Sequence, residues 1–128
     1  MQTATTTPKV SNGNFGRIAR VGATTTLAST LINALIFALV SLPAESVPLA
    51  AVVIVTLMGG VAATVGYAIL TRLLTAQNAN RVMWAGIVLV LLGFAFNPFT
   101  IPNVSAMTIV TLQVMHLDAA LPAWRLTR

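Results

Sequence analysis

Polar and apolar residues fall in blocks along this chain. Four mostly apolar runs, over about residues 23–42, 48–71, 81–96 and 103–122, are separated by short stretches that hold almost all of the charge. A run of ~20 residues rising about 1.5 Å each covers the ~30 Å hydrocarbon layer of a bilayer. Each run is therefore predicted as a transmembrane helix. No stretch alternates with period two between regular turn signals, which argues against a membrane β-barrel.

Local signals set the expected boundaries. The first run, Ala23 to Leu42, is free of charge and ends without a small-x-small cleavage pattern, so it is expected to stay as an anchor and not to be removed as a signal peptide. Pro43 and Pro48 bracket a tight turn containing Glu45, because proline ends one helix and suits the first turn of the next. The second helix is expected from Pro48 to Thr71, followed by a water-facing connector, Leu73 to Arg81, with Asn80 as N-cap of the third. That third helix stops at Phe96, since Pro98 pushes Asn97 out of the helical region. Its span of about sixteen residues is short. Asn103 is expected to cap the fourth helix, which runs to about Pro122.

Residues 1–22, rich in Thr, Asn and Gly, lack the apolar content to build a core and are expected to form a flexible tail. Only Phe15 and Ile18, interleaved with Arg17 and Arg20, hint at a segment lying in the headgroup region. Residues 23–128 make one transmembrane domain.

Charge adds orientation. The basic residues are Lys9, Arg17 and Arg20, then Arg72 and Arg81, then Arg125 and Arg128, so the five non-membrane segments hold three, zero, two, zero and two of them. The positive-inside rule then predicts both termini and the middle connector on the cytoplasmic side. Trp84 and Trp124 lie near the basic ends, where an aromatic belt belongs. Short outer connectors imply antiparallel neighbours and hence an all-α, up-down-up-down bundle of four helices, placed in a bacterial inner (plasma) membrane.

Composition agrees and removes several functions. The chain is 57% hydrophobic and 7% charged, against about 25% charged in soluble domains. Without cysteine it has no disulfide, thiolate metal site or thiol nucleophile. Its net charge of +5 is divided among three flanks of apolar segments, so no contiguous basic patch for nucleic acid is expected.

The few polar groups within the spans are the candidate chemistry. Asn33 lies mid-helix with Thr26 and Thr30 on its face, and must find a partner in another helix. Thr56, Gly60, Thr64 and Tyr67 offer a matching stripe on the second helix. Gln113 and His116 share a face of the fourth, while Asp118 points ~160° away from His116. Either these groups bond between helices, or Asn33, Thr64, Tyr67, Gln113 and His116 surround a polar cavity for a small ligand. Asp118 is expected to pair with Arg72, Arg81 or Arg125 at the interface. Gly59, Ala63 and Gly66, and separately Gly86 and Gly93, are spaced to share a face and allow close helix packing. His116 is also a possible axial ligand for haem or a chlorophyll-type pigment, although no metal site or cofactor is expected overall.

Asn33 followed by Phe37, the Gly59-Gly60 step, and Met115-His116-Leu117 ahead of Pro122 resemble a family of small four-helix bacterial membrane proteins classed as a domain of unknown function. The resemblance covers residues 20–128 and implies a four-crossing bundle with both termini inside; it implies no activity. In size and helix number the chain also looks like the small multidrug exporters, which depend on a glutamate in the first helix. Here that helix has no acid, and Glu45 falls in the turn beyond it. With no catalytic constellation, the expected function is a non-enzymatic structural or accessory subunit, acting by lateral helix contacts with lipid, other membrane subunits or itself. A small transporter or ligand-binding bundle is the alternative.

Overall fold

The structure is a computed structural model that describes residues 13–40, 48–96 and 105–128. These form five helices, α1 (Gly13–Val40), α2 (Leu49–Leu73), α3 (Ala76–Phe96), α4 (Ala106–Ala119) and α5 (Leu121–Leu126). Four helical spans, Asn14–Val40, Leu49–Leu73, Ala76–Ala95 and Ala106–Leu126, are long and apolar enough to cross a membrane, and the described residues contain no strand. Among the described residues the architecture is all-helical, with four spans suited to a membrane.

Helices α1 and α3 both begin earlier than their apolar runs predict. Gly13 to Gly22, expected as tail, is the first part of α1, and Ala76 to Asn80, expected as connector, is the first turn of α3. One apolar cluster accounts for both. Ile18 of α1, Tyr67 of α2, Ala79 and Met83 of α3, and Ala123 and Leu126 of α5 are buried together, with Val21, Ala63 and Ile87 packed around them. Packing of these side chains from four helices offsets the weak helix propensity of the Gly- and Asn-rich sequence. The α2–α3 connector shrinks to Leu74 and Thr75, and α3 gains the length that its apolar run lacks.

Two caps also differ. Asn80 does not cap α3 but lies inside it. The N-cap of α4 is Ser105, whose hydroxyl accepts from the Thr108 amide at 3.1 Å; Asn103 lies outside the described residues, as do the Pro43–Val47 turn with Glu45 and the Asn97–Asn103 segment.

Proline shapes the end of the chain. Pro122 has no N–H for the Asp118 carbonyl four residues earlier, so α4 breaks at Ala120 and α5 restarts with Pro122 in its first turn. The freed carbonyl accepts from the Ser29 hydroxyl of α1 at 3.1 Å and from the Ala120 amide. A helix break thereby becomes an interhelical bond. Helix α1 contacts α2, α4 and α5, whereas α3 contacts α2, α4 and α5, and among the described residues no Cα of α3 comes within 8 Å of one in α1.

Candidate functional site

The buried polar groups of α1 line one face. Thr26, Ser29, Thr30 and Asn33 are all buried, together with Thr56 of α2. Spacings of three and four residues place them on one side of a helix.

Glycine makes this face possible. A Cβ built on Gly22 would fall 2.8 Å from Thr64 Cβ, and one built on Gly60 would fall 2.7 Å from Thr26 Cβ. Each helix thus inserts a threonine where the other has only hydrogen, in the spacing Gly22–Thr26 on α1 and Gly60–Thr64 on α2. The pairs Gly22–Thr64, Thr26–Gly60 and Asn33–Thr56 run in opposite order along the two helices, so α1 and α2 are antiparallel where they meet. Such close approach favours van der Waals contact in a solvent where burial itself supplies little.

Deeper along the seam, the Asn33 amide donates to Thr56 Oγ1 at 3.1 Å and to the Met115 carbonyl at 3.4 Å, tying α1 to α2 and α4. Thr56 in turn donates to the Val52 carbonyl. The side chain of Asn33 is 2% exposed and Ser29 is fully enclosed. Among the described residues, Thr26 Oγ1, Asn33 Oδ1 and Asp118 Oδ2 are buried there without a hydrogen-bond partner. Buried acceptors in that condition are rare, because each costs desolvation that nothing returns.

The predicted site residues do not meet in one cavity. Asn33 bonds Thr56, as its stripe predicted, but Thr64 packs on Gly22 and donates to its own helix at Gly60. Tyr67 points to the arginine-bearing end, where its hydroxyl donates to Asn80 Oδ1 at 2.7 Å; the Asn80 amide donates to the Thr127 carbonyl at 3.0 Å. That relay, which links α2, α3 and the end of α5, escapes the expectation that Asn80 is a cap. Gln113 donates to the Ala95 carbonyl of α3 at 3.0 Å. His116 donates through Nδ1–H to the Leu112 carbonyl at 2.6 Å, and its ring stacks on Phe94 with centroids 4.4 Å apart.

A carbonyl can only accept, so the Leu112 bond places a proton on Nδ1, and in the neutral ring Nε2 then keeps its lone pair. That is the tautomer of a ligating histidine. One ring face is nevertheless covered by Phe94, and among the described residues no three His, Cys, Asp or Glu side chains gather for a metal.

Asp118 and the arginines are arranged differently from expectation. Asp118 Oδ2 is enclosed without a partner, so the expected pairing with Arg72, Arg81 or Arg125 is not made through that oxygen. The Arg72 guanidinium instead lies 5.5 Å from the centre of the Phe15 ring, and those of Arg125 and Arg128 lie 5.3 and 4.2 Å from Trp124. Arg81 is exposed.

Glycines sort in the same unexpected way. The closely packed ones are Gly22 and Gly60, whereas a Cβ on Gly59, Gly66, Gly86 or Gly93 would meet nothing within 4 Å. Ala63 is half-buried beside the apolar cluster. The signal that marks the true seam is in the sequence: Gly-x-x-x-Thr occurs at Gly22 and again at Gly60.

Comparison with family models, with curated proteins and with solved structures finds no match.

Proposed function

We propose that the chain is a non-enzymatic accessory or structural component of a membrane assembly, acting through lateral contacts of its helices. The observation that carries this reading is the outer face of α3. From Trp84 to Gly93 every residue except Ile87 and Leu91 is exposed, and the two glycines, Gly86 and Gly93, face open space. Glycine weakens a helix by about 1 kcal/mol relative to alanine. Where it packs against nothing among the described residues, a second backbone in close approach supplies the reason for it. The polar candidates support the same reading, since each holds one helix to another or to itself.

In this proposal the chain crosses a bacterial inner membrane in up-down-up-down order, with both termini and the α2–α3 connector on the cytoplasmic side. A reporter fused after Arg128 that scored as external would overturn that orientation. Extraction from native membranes in mild detergent should yield a particle heavier than the 13.4 kDa chain, with a second protein or a second copy in fixed ratio. Gly86→Leu combined with Gly93→Leu should release it. A monomer free of any partner would sink the accessory role.

The unpaired Thr26 Oγ1, Asn33 Oδ1 and Asp118 Oδ2 favour a second reading, a ligand- or proton-handling bundle using the α1–α2–α4 seam. Proteoliposomes loaded with a pH-sensitive dye test it. Proton flux lost in Asp118→Asn would support transport, and flux equal to that of empty vesicles would remove it.

A further inference from the structure

A groove of about 600 Å³ runs along the outside of the α1–α2 pair. Its floor is the tight seam at Gly22, Thr26 and Thr64; its walls include Leu27, Val61 and Val65, and it ends at Phe15 and Arg72. The ~18 Å from Phe15 to Leu27, at ~1.5 Å per residue, is lined mostly by apolar side chains of both helices. The slot suits a single flexible chain.

Basic side chains outnumber acidic ones at its arginine end. The whole chain has two acids against seven basic residues. Asp118 Oδ2 is enclosed in the seam, and Glu45 precedes the opposite end of α2. The guanidinium of Arg72 lies over the Phe15 ring at the mouth of the groove, in the last turn of α2. The ring face attracts the cation, and the planar guanidinium fork matches a phosphate.

We infer that this groove is a binding site for one anionic phospholipid, with an acyl chain along the α1–α2 seam and the phosphate at Arg72. The site rests on the membrane reading and not on the accessory role. The same close approach of α1 and α2 that buries Thr26 leaves the furrow beside it, and α1 carries Phe15 past the apolar run to where a headgroup lies. Basic residues at a membrane edge attract anionic lipid by about 1 kcal/mol each, which corresponds to about fivefold in affinity.

Native mass spectrometry of the detergent-purified full chain tests the site, with phosphatidylglycerol and phosphatidylcholine of identical acyl chains as probes. The expected result is preferential retention of phosphatidylglycerol. Arg72→Gln should cut that retention about fivefold and leave phosphatidylcholine unchanged, whereas Arg128→Gln, on Trp124 and outside the groove, should leave both unchanged. Val65→Trp fills the groove from an exposed position and should lower both lipids; Ala19→Trp, also exposed and lining it, serves if the first variant loses helicity. Equal retention of the two lipids, equal behaviour of Arg72→Gln and Arg128→Gln, or full retention in the filled variants would overturn the proposal. So would complete displacement by inorganic phosphate, or a protein cross-linked at position 65 in native membranes in place of lipid.

Discussion

The α1–α2 seam and the outer face of α3 use glycine in opposite ways. At the seam, Gly22 and Gly60 each receive a threonine from the facing helix, so an added methyl has nowhere to go. On α3, Gly86 and Gly93 are spaced just as regularly and meet nothing within 4 Å among the described residues. Spacing puts glycines on one face, but only a complementary knob on a neighbouring helix turns that face into an interface. In lipid the contrast is sharpened, because apolar surface gains little by leaving one apolar medium for another and close packing must do what burial does in water.

The strongest way to break this comparison is to overfill the seam. Gly60→Leu should cost about 3 kcal/mol, read as a shift in detergent-titration unfolding followed by circular dichroism. Its neighbour Gly59→Leu should move the same curve by less than ~0.5 kcal/mol. Equal losses in the two variants would mean that the seam is not what holds α1 to α2.

Next in size is the relay that fastens α3 to the rest. Asn80→Ala removes the partner of both the Tyr67 hydroxyl and the Thr127 carbonyl and should cost about 2 kcal/mol. Tyr67→Phe removes one of those bonds and should cost about half as much. An Asn80→Ala protein as stable as wild type would show that α3 is held by the Ala79–Met83 contacts and its α4 partners, Gln113 and His116, without the relay.

Asn33→Leu should have a smaller effect, below ~1 kcal/mol, since interhelical hydrogen bonds in bilayers average about 0.6 kcal/mol and the change also removes an unpaired acceptor. A loss of several kcal/mol would place Asn33 among the main supports of the seam. Smallest of all should be Gly86→Ala on the isolated chain, neutral or stabilising by up to ~1 kcal/mol. Destabilisation there would mean that α3 packs within its own chain more closely than its exposed face indicates.

Legibility differed from residue to residue for physical reasons. Asn33 could be read as an interhelical donor and Thr56 as part of its partner stripe, because a lone amide amid apolar residues has few ways to be satisfied. Asn80 was misread: a polar residue before an apolar run has the look of a cap, and its bonds to Tyr67 and Thr127 depend on three helix ends meeting. Ser29 gave no local signal, since its partner is a carbonyl freed by Pro122, 93 positions along the chain. His116 and Gln113 share a face as expected, yet the stacking on Phe94 and the bond to Ala95 direct both toward α3 and away from Asn33.

By itself, the sequence determined that this chain has four helices able to cross a membrane, because the length and apolarity of each run are local quantities set against a bilayer of known thickness. It did not determine where α1 and α3 begin. That was decided by the cluster of Ile18, Tyr67, Ala79, Met83, Ala123 and Leu126, which exists only once four helices converge. Nor did it determine which glycines pack. Close approach is a property of two surfaces, and only the tertiary structure brought Thr64 to Gly22 and Thr26 to Gly60.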